Sequence, residues 1–170
     1  MKKFMIRISS MLVMVALASL VIGFNSCKED DDDDPVVILD GYYVKGDATA
    51  AADFNDKAIM KMTRNEIGQA DRAELMELYI AIKAGAPGFN IVMVAGEVQT
   101  TFGPGSDFAV VPEAERITDE PKVDFWRGSY IETNTAFTVP ADGLYHVVID
   151  TEYKKIVIAP VVWGVIGAAT

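Results

Sequence analysis

The residues with the clearest chemistry lie in one short segment, 124–130, which reads DFWRGSY. Side chains alternate between the two faces of a strand, so an extended segment would place Asp124, Trp126 and Tyr130 on the same face. Flat aromatic rings can cover the apolar C–H face of a sugar ring. The segment therefore predicts a glycan-binding platform built from Trp126 and Tyr130.

Polar side chains beside such a platform would orient the sugar hydroxyls through hydrogen bonds. The nearest candidates in the sequence are Lys122, Arg127 and Asn134. The alternative is that Trp126 belongs to the core, with Phe125 outside or at a sheet edge. The sequence leaves both interpretations open.

The sequence does not favour catalysis or a bound cofactor. A glycosidase needs two carboxylates across a cleft, but none of the 25 acidic residues lies in a distinctive motif. His146 is the only histidine and Cys27 the only cysteine, so a metal site or a Cys–His pair is not expected. We expect His146 to face solvent or an edge. Residues 103–105 (GPG) lack the helix and the Lys-Ser/Thr pair of a phosphate loop.

Cys27 follows a typical export signal. Basic residues occur among the first seven positions, and residues 11–22 are apolar except for one serine. That stretch is short for a membrane span. The small residue Ser26 directly before the cysteine resembles a bacterial lipoprotein signal with a relaxed lipobox. We therefore expect a signal peptide at 1–26 and an acylated (palmitate-bearing) Cys27 at the start of the mature protein.

An acidic segment follows the cysteine, with the sequence KEDDDDD at 28–34. Repelling carboxylates do not pack into a core, so residues 27–36 are expected to form an extended, solvated tether. The segment could be an address for surface export or only a spacer above the lipid. The formal net charge of −10 argues against nucleic acid as a partner, which requires a basic surface.

Residues 37–160 are predicted to form an all-β module, an immunoglobulin-like or carbohydrate-binding-module-like antiparallel β-sandwich. Short runs of β-forming residues alternate with turn residues along this region. One cysteine allows no intramolecular disulfide, so the core alone must hold the fold. The predicted strands are 41–46, 57–64, 89–95, 98–102, 108–111, 123–132 paired with 136–139, and the hairpin 144–150 with 155–159; a break is predicted at 103–105.

One segment, 71–83 (DRAELMELYIAIK), fits two structures. Leu75, Leu78 and Ile82 have helical spacing, and Asp71 could cap a helix. The same segment alternates as a strand with Leu78, Ile80 and Ile82 on one face. The neighbouring strands favour a strand from about residue 75 to 83.

The end of the sequence echoes its first predicted strand. Residues 163–170 (WGVIGAAT) align with 42–49 (YYVKGDAT) at matching aromatic, Val, Gly, Ala and Thr positions. The echo predicts that residues 161–170 begin a second, truncated module. Trp163 is then a core or module-junction residue.

Together these features resemble SusE/SusF-type outer-membrane lipoproteins of Bacteroidetes. The resemblance rests on the acidic lipoprotein signal, the GDAT and DGLYHVVID motifs at 46–49 and 142–150, and the restart at 163–170. It implies tandem sandwich modules that capture starch or another glycan without catalysis, on the outer face of the outer membrane and beside a SusC/SusD-type import complex. The alternative is a structural spacer or adhesion module that holds downstream binding modules off the membrane.

Overall fold

The computed structural model describes residues 37–65, 68–116 and 123–162. All of them lie in Val37–Thr170, the second of the two units into which the chain divides. These residues contain no α-helix and one 3-10 turn, Glu113–Glu115. The strands are β1 (Gly41–Lys45), β2 (Lys61–Arg64), β3 (Asp71–Ile82), β4 (Asn90–Ala95), β5 (Val98–Pro104), β6 (Ala109–Val110), β7 (Trp126–Glu132), β8 (Gly143–Asp150) and β9 (Lys155–Pro160).

The strands form one curled antiparallel sheet with two layers. Eight strands follow the order β1-β4-β5-β7-β9-β8-β3-β2, and β6 pairs with β7 beside this path. Strand β7 belongs to both layers: its last residues, Tyr130 to Glu132, pair with β5, and Trp126 to Ser129 pair with β9. The predicted all-β, antiparallel, sandwich-like fold is confirmed.

The two ends of this sheet meet through residues 58–60, just before β2. The Val44 N–H donates to the Ala58 carbonyl over 2.9 Å, and the Met60 N–H donates to the Tyr42 carbonyl over 2.7 Å. This pairing covers strand edges that would otherwise offer unpaired backbone groups to another chain. Because residues 58–60 bond to β1, β2 begins only at Lys61, whereas a strand over 57–64 was predicted.

The core lies between the two layers and is filled by alternating side chains. In β8, Tyr145, Val147 and Ile149 are buried, whereas the intervening residues face outward. The predicted hairpin of β8 and β9 is confirmed, with Ile149 opposite Ile156. The predicted turn between β4 and β5 is also confirmed, and Gly96 adopts the positive φ of 60° that the turn requires.

The segment 71–83, which fitted both a helix and a strand, forms strand β3. It begins earlier than predicted, at Asp71, and pairs with β8 from Leu75 to Ile82. Ile80 and Ile82 are buried, and Leu78 packs against the core. In a helix, Leu78, Ile80 and Ile82 would point in different directions. In a strand they share one face, and pairing with β8 and packing against the opposite layer stabilise that arrangement.

Two predicted strand features are wrong. Residues 136–139 do not pair with β7; instead Phe137 forms an isolated bridge with Phe89, and each N–H donates to the other carbonyl over 2.7 and 3.0 Å. Strand β5 also continues through Pro104, past the predicted break. Pro104 is the last residue of the strand and lies opposite Tyr130, and the next N–H, that of Gly105, donates to the Ser129 carbonyl over 2.8 Å.

Candidate functional site

The predicted Trp126–Tyr130 platform does not lie on the surface. The two side chains do share a face, but it is the inner face of β7: Tyr130 is 2% exposed and Trp126 packs partly buried against the core. Phe125 is also buried, at 3% exposure. Trp126 and Tyr130 were therefore predicted correctly to share a face, and of the two interpretations the structure shows Trp126 against the core. The rest of the pattern was wrong: Asp124, predicted on that face, is exposed, and Phe125, expected outside or at a sheet edge, is buried.

Tyr130 carries a buried hydroxyl without a hydrogen-bond partner among the described residues. Burial raises the pKa of Tyr130, with smaller contributions from Tyr42 and Asp150. Because an unpaired buried hydroxyl costs about 1–3 kcal/mol, we expect Tyr130→Phe to raise the free energy of unfolding by about 1 kcal/mol. Urea denaturation of both proteins measures this difference. A loss of stability would show that the hydroxyl has a partner.

The predicted polar residues lie in different places. Arg127 is on the outer face of β7, and Asn134 is exposed in the loop after that strand. Asn134 lines a polar cleft of about 310 Å³, together with Gln99, Thr100, Thr101, Glu132 and Thr133. Lys122, Cys27 and Trp163 lie outside the described residues.

A different aromatic surface is present on the outer face of β3 and β8. Tyr79 and His146 are opposite each other in the two strands, and their rings stack in parallel with 4.1 Å between centroids. Tyr79 is 55% exposed. The Glu77 Oε2 lies 2.7 Å from the His146 Nε2, within hydrogen-bond distance. We call these three residues the Tyr79 platform.

Sequence reasoning missed this platform because its parts are far apart in the chain. Glu77 and His146 are separated by 69 residues. The strand interpretation of 75–83 already places Glu77 and Tyr79 on one face, and His146 does lie on an outer face as expected. The missing information was that β3 and β8 are neighbours, which no local pattern indicates.

Arginine and acidic side chains border the platform. Arg72 Nη2 lies 3.1 Å from both the Asp150 Oδ2 and the Glu152 Oε2. Its guanidinium also lies 5.9 Å from the centre of the Tyr153 ring. A cleft of about 310 Å³ opens here, lined by Thr63, Arg64, Asn65, Arg72, Leu75, Glu77, His146 and Val148.

A larger cleft, of about 520 Å³, lies on the same face of β7 and β9 and is called the Arg127 cleft. Its lining includes Arg127, Lys155, Val157, Asp107 and Val110. Asp107 accepts hydrogen bonds from the Lys155 ammonium over 2.8 Å and from the hydroxyl and the backbone N–H of Ser129. The Lys155 ammonium first, and then these Ser129 donors, hold the pKa of Asp107 well below its usual range.

The lowered pKa makes a prediction for Asp107→Asn. A depressed folded-state pKa stabilises the fold above the unfolded value, about 3.9, and this contribution is lost as the pH falls through the folded value. We therefore expect wild type to have a higher Tm than the variant at pH 7 and the difference to shrink below about pH 4. Thermal unfolding across the pH range checks it. A Tm difference that stays constant with pH would contradict the role of this carboxylate.

The outer face offers several ways to bind a polyhydroxylated ligand. An aromatic ring can cover an apolar sugar face, carboxylates can accept hydrogen bonds from hydroxyls, and guanidinium groups can donate them. Within 37–65, 68–116 and 123–162, no group of three or more His, Cys, Asp or Glu side chains is placed to hold a metal ion. No helix within those ranges is both long and apolar enough to cross a membrane.

Comparisons with known proteins find no relative. No family model, no curated protein and no solved structure matches this chain.

Proposed function

We propose that this protein is a lipid-anchored glycan-binding protein of the cell surface, without catalytic activity, that captures a starch-like polysaccharide for uptake. The observation that carries the proposal is the Tyr79 platform: an exposed aromatic ring, stacked on an imidazole, with a carboxylate on the same sheet face. The platform replaces the Trp126–Tyr130 surface as the place where a sugar ring would stack.

The geometry of the platform suits a sugar ring. His146 supports the Tyr79 ring from one side at 4.1 Å, which fixes the orientation of the phenol at low entropic cost. The apolar C–H face of a pyranose would lie against the exposed part of that ring. Arg72 lines the depression beside Glu77 and His146. There Glu77 would accept hydrogen bonds from sugar hydroxyls and Arg72 would donate them.

The open shape favours capture over turnover. The clefts on this face are surface depressions on paired strands, where a polymer can lie while its remaining length stays in solvent. A glycosidase would place two carboxylates on opposite sides of the scissile bond. Here Glu77 is bound to His146, and Asp150 to Arg72, which suits these acids to holding side chains and hydroxyls in position.

The anchor is proposed from the sequence. Acyl chains on Cys27 would hold the mature protein at the outer membrane, because each buried CH2 contributes about 0.8 kcal/mol. The acidic segment after it would keep the domain clear of the lipid. A position beside a SusC/SusD-type import complex follows from the resemblance to SusE/SusF-type lipoproteins.

A second function, that of a spacer, is favoured by where the described chain enters and leaves the fold. Strand β1 begins at Gly41, opposite Val94 and next to the Gly96 turn. After β9, the Val161 N–H donates to the Leu144 carbonyl, and Leu144 lies opposite Ala81 of β3. The Ala81 carbonyl in turn accepts a hydrogen bond from the N–H of Ala50, in the segment that follows β1. Entry and exit therefore lie at opposite ends of β1, an arrangement that would extend a row of modules away from a membrane.

Affinity electrophoresis of the non-acylated mature chain, in gels containing neutral or acidic polysaccharides, tests glycan binding. We expect at least one neutral glucan to retard the protein. Ile131→Ala is a control, because Ile131 is 51% exposed and adjacent to β5 rather than to the platform. If no polysaccharide retards the protein, the glycan function is wrong and the spacer function is favoured.

Replacing Cys27 tests the anchor. We expect Cys27→Ala to abolish palmitate incorporation and to release the protein from the outer-membrane fraction of the native host, because the acylated thiol is gone. Ser26→Ala is the matched control, since it keeps a small residue before the cysteine. Retention of the Cys27→Ala protein in the outer-membrane fraction without palmitate would contradict the anchor.

A further inference from the structure

The Tyr79 platform and the Arg127 cleft belong to one continuous surface. Glu77 on β3 is opposite Val148 on β8, Val148 is opposite Val157 on β9, and Val157 is opposite Arg127 on β7. These residues form a straight row across the strands, all on the outer face. Neighbouring strands are about 4.8 Å apart, so the row spans roughly 14 Å from β3 to β7.

The floor between the two ends is small and apolar. Val148 lines the depression beside the platform and Val157 lines the Arg127 cleft, and these two valines are cross-strand partners. Ala159, opposite His146, continues the floor on the next row. The two depressions are therefore adjacent, with no large side chain between them along the row.

Side chains stand at both ends of this surface. At one end Thr63 of β2 and Asn65, which follows that strand, line the depression beside the platform. At the other end β6 and the following residues, including Val110 and Pro112, line the Arg127 cleft. We call the surface from the Tyr79 platform to the Arg127 cleft the cross-strand trough.

We infer that the cross-strand trough binds an extended glycan chain that runs across β3, β8, β9 and β7, with several sugar rings in contact at once. This inference rests on the proposed glycan-binding function and specifies its ligand as a linear chain rather than a single sugar or a chain end. One sugar ring is roughly as long as the spacing of about 4.8 Å between strands, so successive rings would lie over successive strands.

Each end of the trough would make a different contact. Tyr79 would stack on a ring at the β3 end. Arg127 would donate hydrogen bonds to ring hydroxyls at the β7 end, and Val148 and Val157 would contact the C–H groups of the rings between them. A short oligosaccharide reaches only one end, whereas a long chain gains both contacts in one binding event.

Titration calorimetry with the non-acylated mature chain tests the inference. The probes are linear malto-oligosaccharides of increasing length, and fragments of any other polysaccharide that retards the protein in gels. We expect the affinity to rise at least about tenfold with length, until the chain spans roughly 14 Å, and then to level off. Arg127→Ala should lower the affinity for long chains about tenfold and leave the affinity for short chains unchanged.

A second variant separates a loss of binding from a loss of folding. Val157→Lys places a long side chain in the middle of the trough and should weaken only long chains, with thermal unfolding reporting that each variant is folded. Equal affinity for short and long chains, or an equal loss for both in Arg127→Ala, would overturn the cross-strand trough and leave glycan binding itself intact. If no oligosaccharide or polysaccharide binds at all, the proposed function fails instead.

Discussion

Phe137→Ala should lower the free energy of unfolding by about 3–5 kcal/mol, the cost of deleting a fully buried aromatic ring. Phe137 is 1% exposed, and its ring lies 5.6 Å from the Phe89 ring and 5.0 Å from the Phe108 ring, measured between centroids. It connects the start of β4 to the segment before β6. The cavity left by alanine would therefore loosen contacts among three parts of the chain, and urea denaturation measures the loss.

Two control variants make this result specific. Phe137→Leu fills much of the cavity and should cost clearly less than alanine. Val98→Ala removes a side chain that is 62% exposed and should change stability by no more than about 0.5 kcal/mol. If Phe137→Ala had as small an effect as Val98→Ala, the central place of the Phe137 ring in the core would be contradicted.

Tyr79→Ala should weaken glycan binding by at least about tenfold, because the sugar loses its stacking surface. The same change should reduce the free energy of unfolding by less than about 1 kcal/mol, since the side chain is 55% exposed. Tyr79→Phe keeps the ring and should retain most of the affinity. Affinity electrophoresis with the best-retained polysaccharide measures all three proteins.

Comparing the loss of glycan affinity with the loss of stability in Tyr79→Ala separates a contact with the ligand from a role in folding. A loss of binding in a variant with unchanged unfolding assigns the ring to the ligand. A protein that binds equally well with alanine at this position would show that Tyr79 is not the stacking residue, even if glycan binding itself is real. Tyr153→Ala is a comparison variant for Tyr79→Ala, because Tyr153 is also exposed, at 63%, but its ring lies beside Arg72 and is not part of the Tyr79 platform.

Most strands could be predicted because their patterns are local. Alternation in 144–150 and the turn residues between β4 and β5 required only neighbours along the chain. The segment 71–83 shows the limit of this reasoning, since its local signals alone favoured a helix, whereas the structure pairs it with β8 as a strand. Phe137 was misassigned for the same reason: its partner, Phe89, lies far away in sequence.

The candidate site was less predictable than the fold. Alternation placed Trp126 and Tyr130 on one face, but which face of β7 meets solvent depends on the layer that packs against it. Glu77 and Tyr79 could be placed together from the strand pattern, whereas their contact with His146 depends on strand order. The Arg127 cleft depends in addition on β6 and on the hydrogen bonds of Asp107.

The most direct test of glycan binding on the outer face is an NMR titration of the 15N-labelled mature chain with a long oligosaccharide. We expect the largest amide shifts on β3, β8, β9 and β7, at Glu77, Tyr79, His146, Val157 and Arg127, with small shifts on β1 and β4. Shifts confined to the polar cleft at Asn134 would contradict the proposed site. The absence of any shift at saturating glycan would contradict glycan binding by this domain.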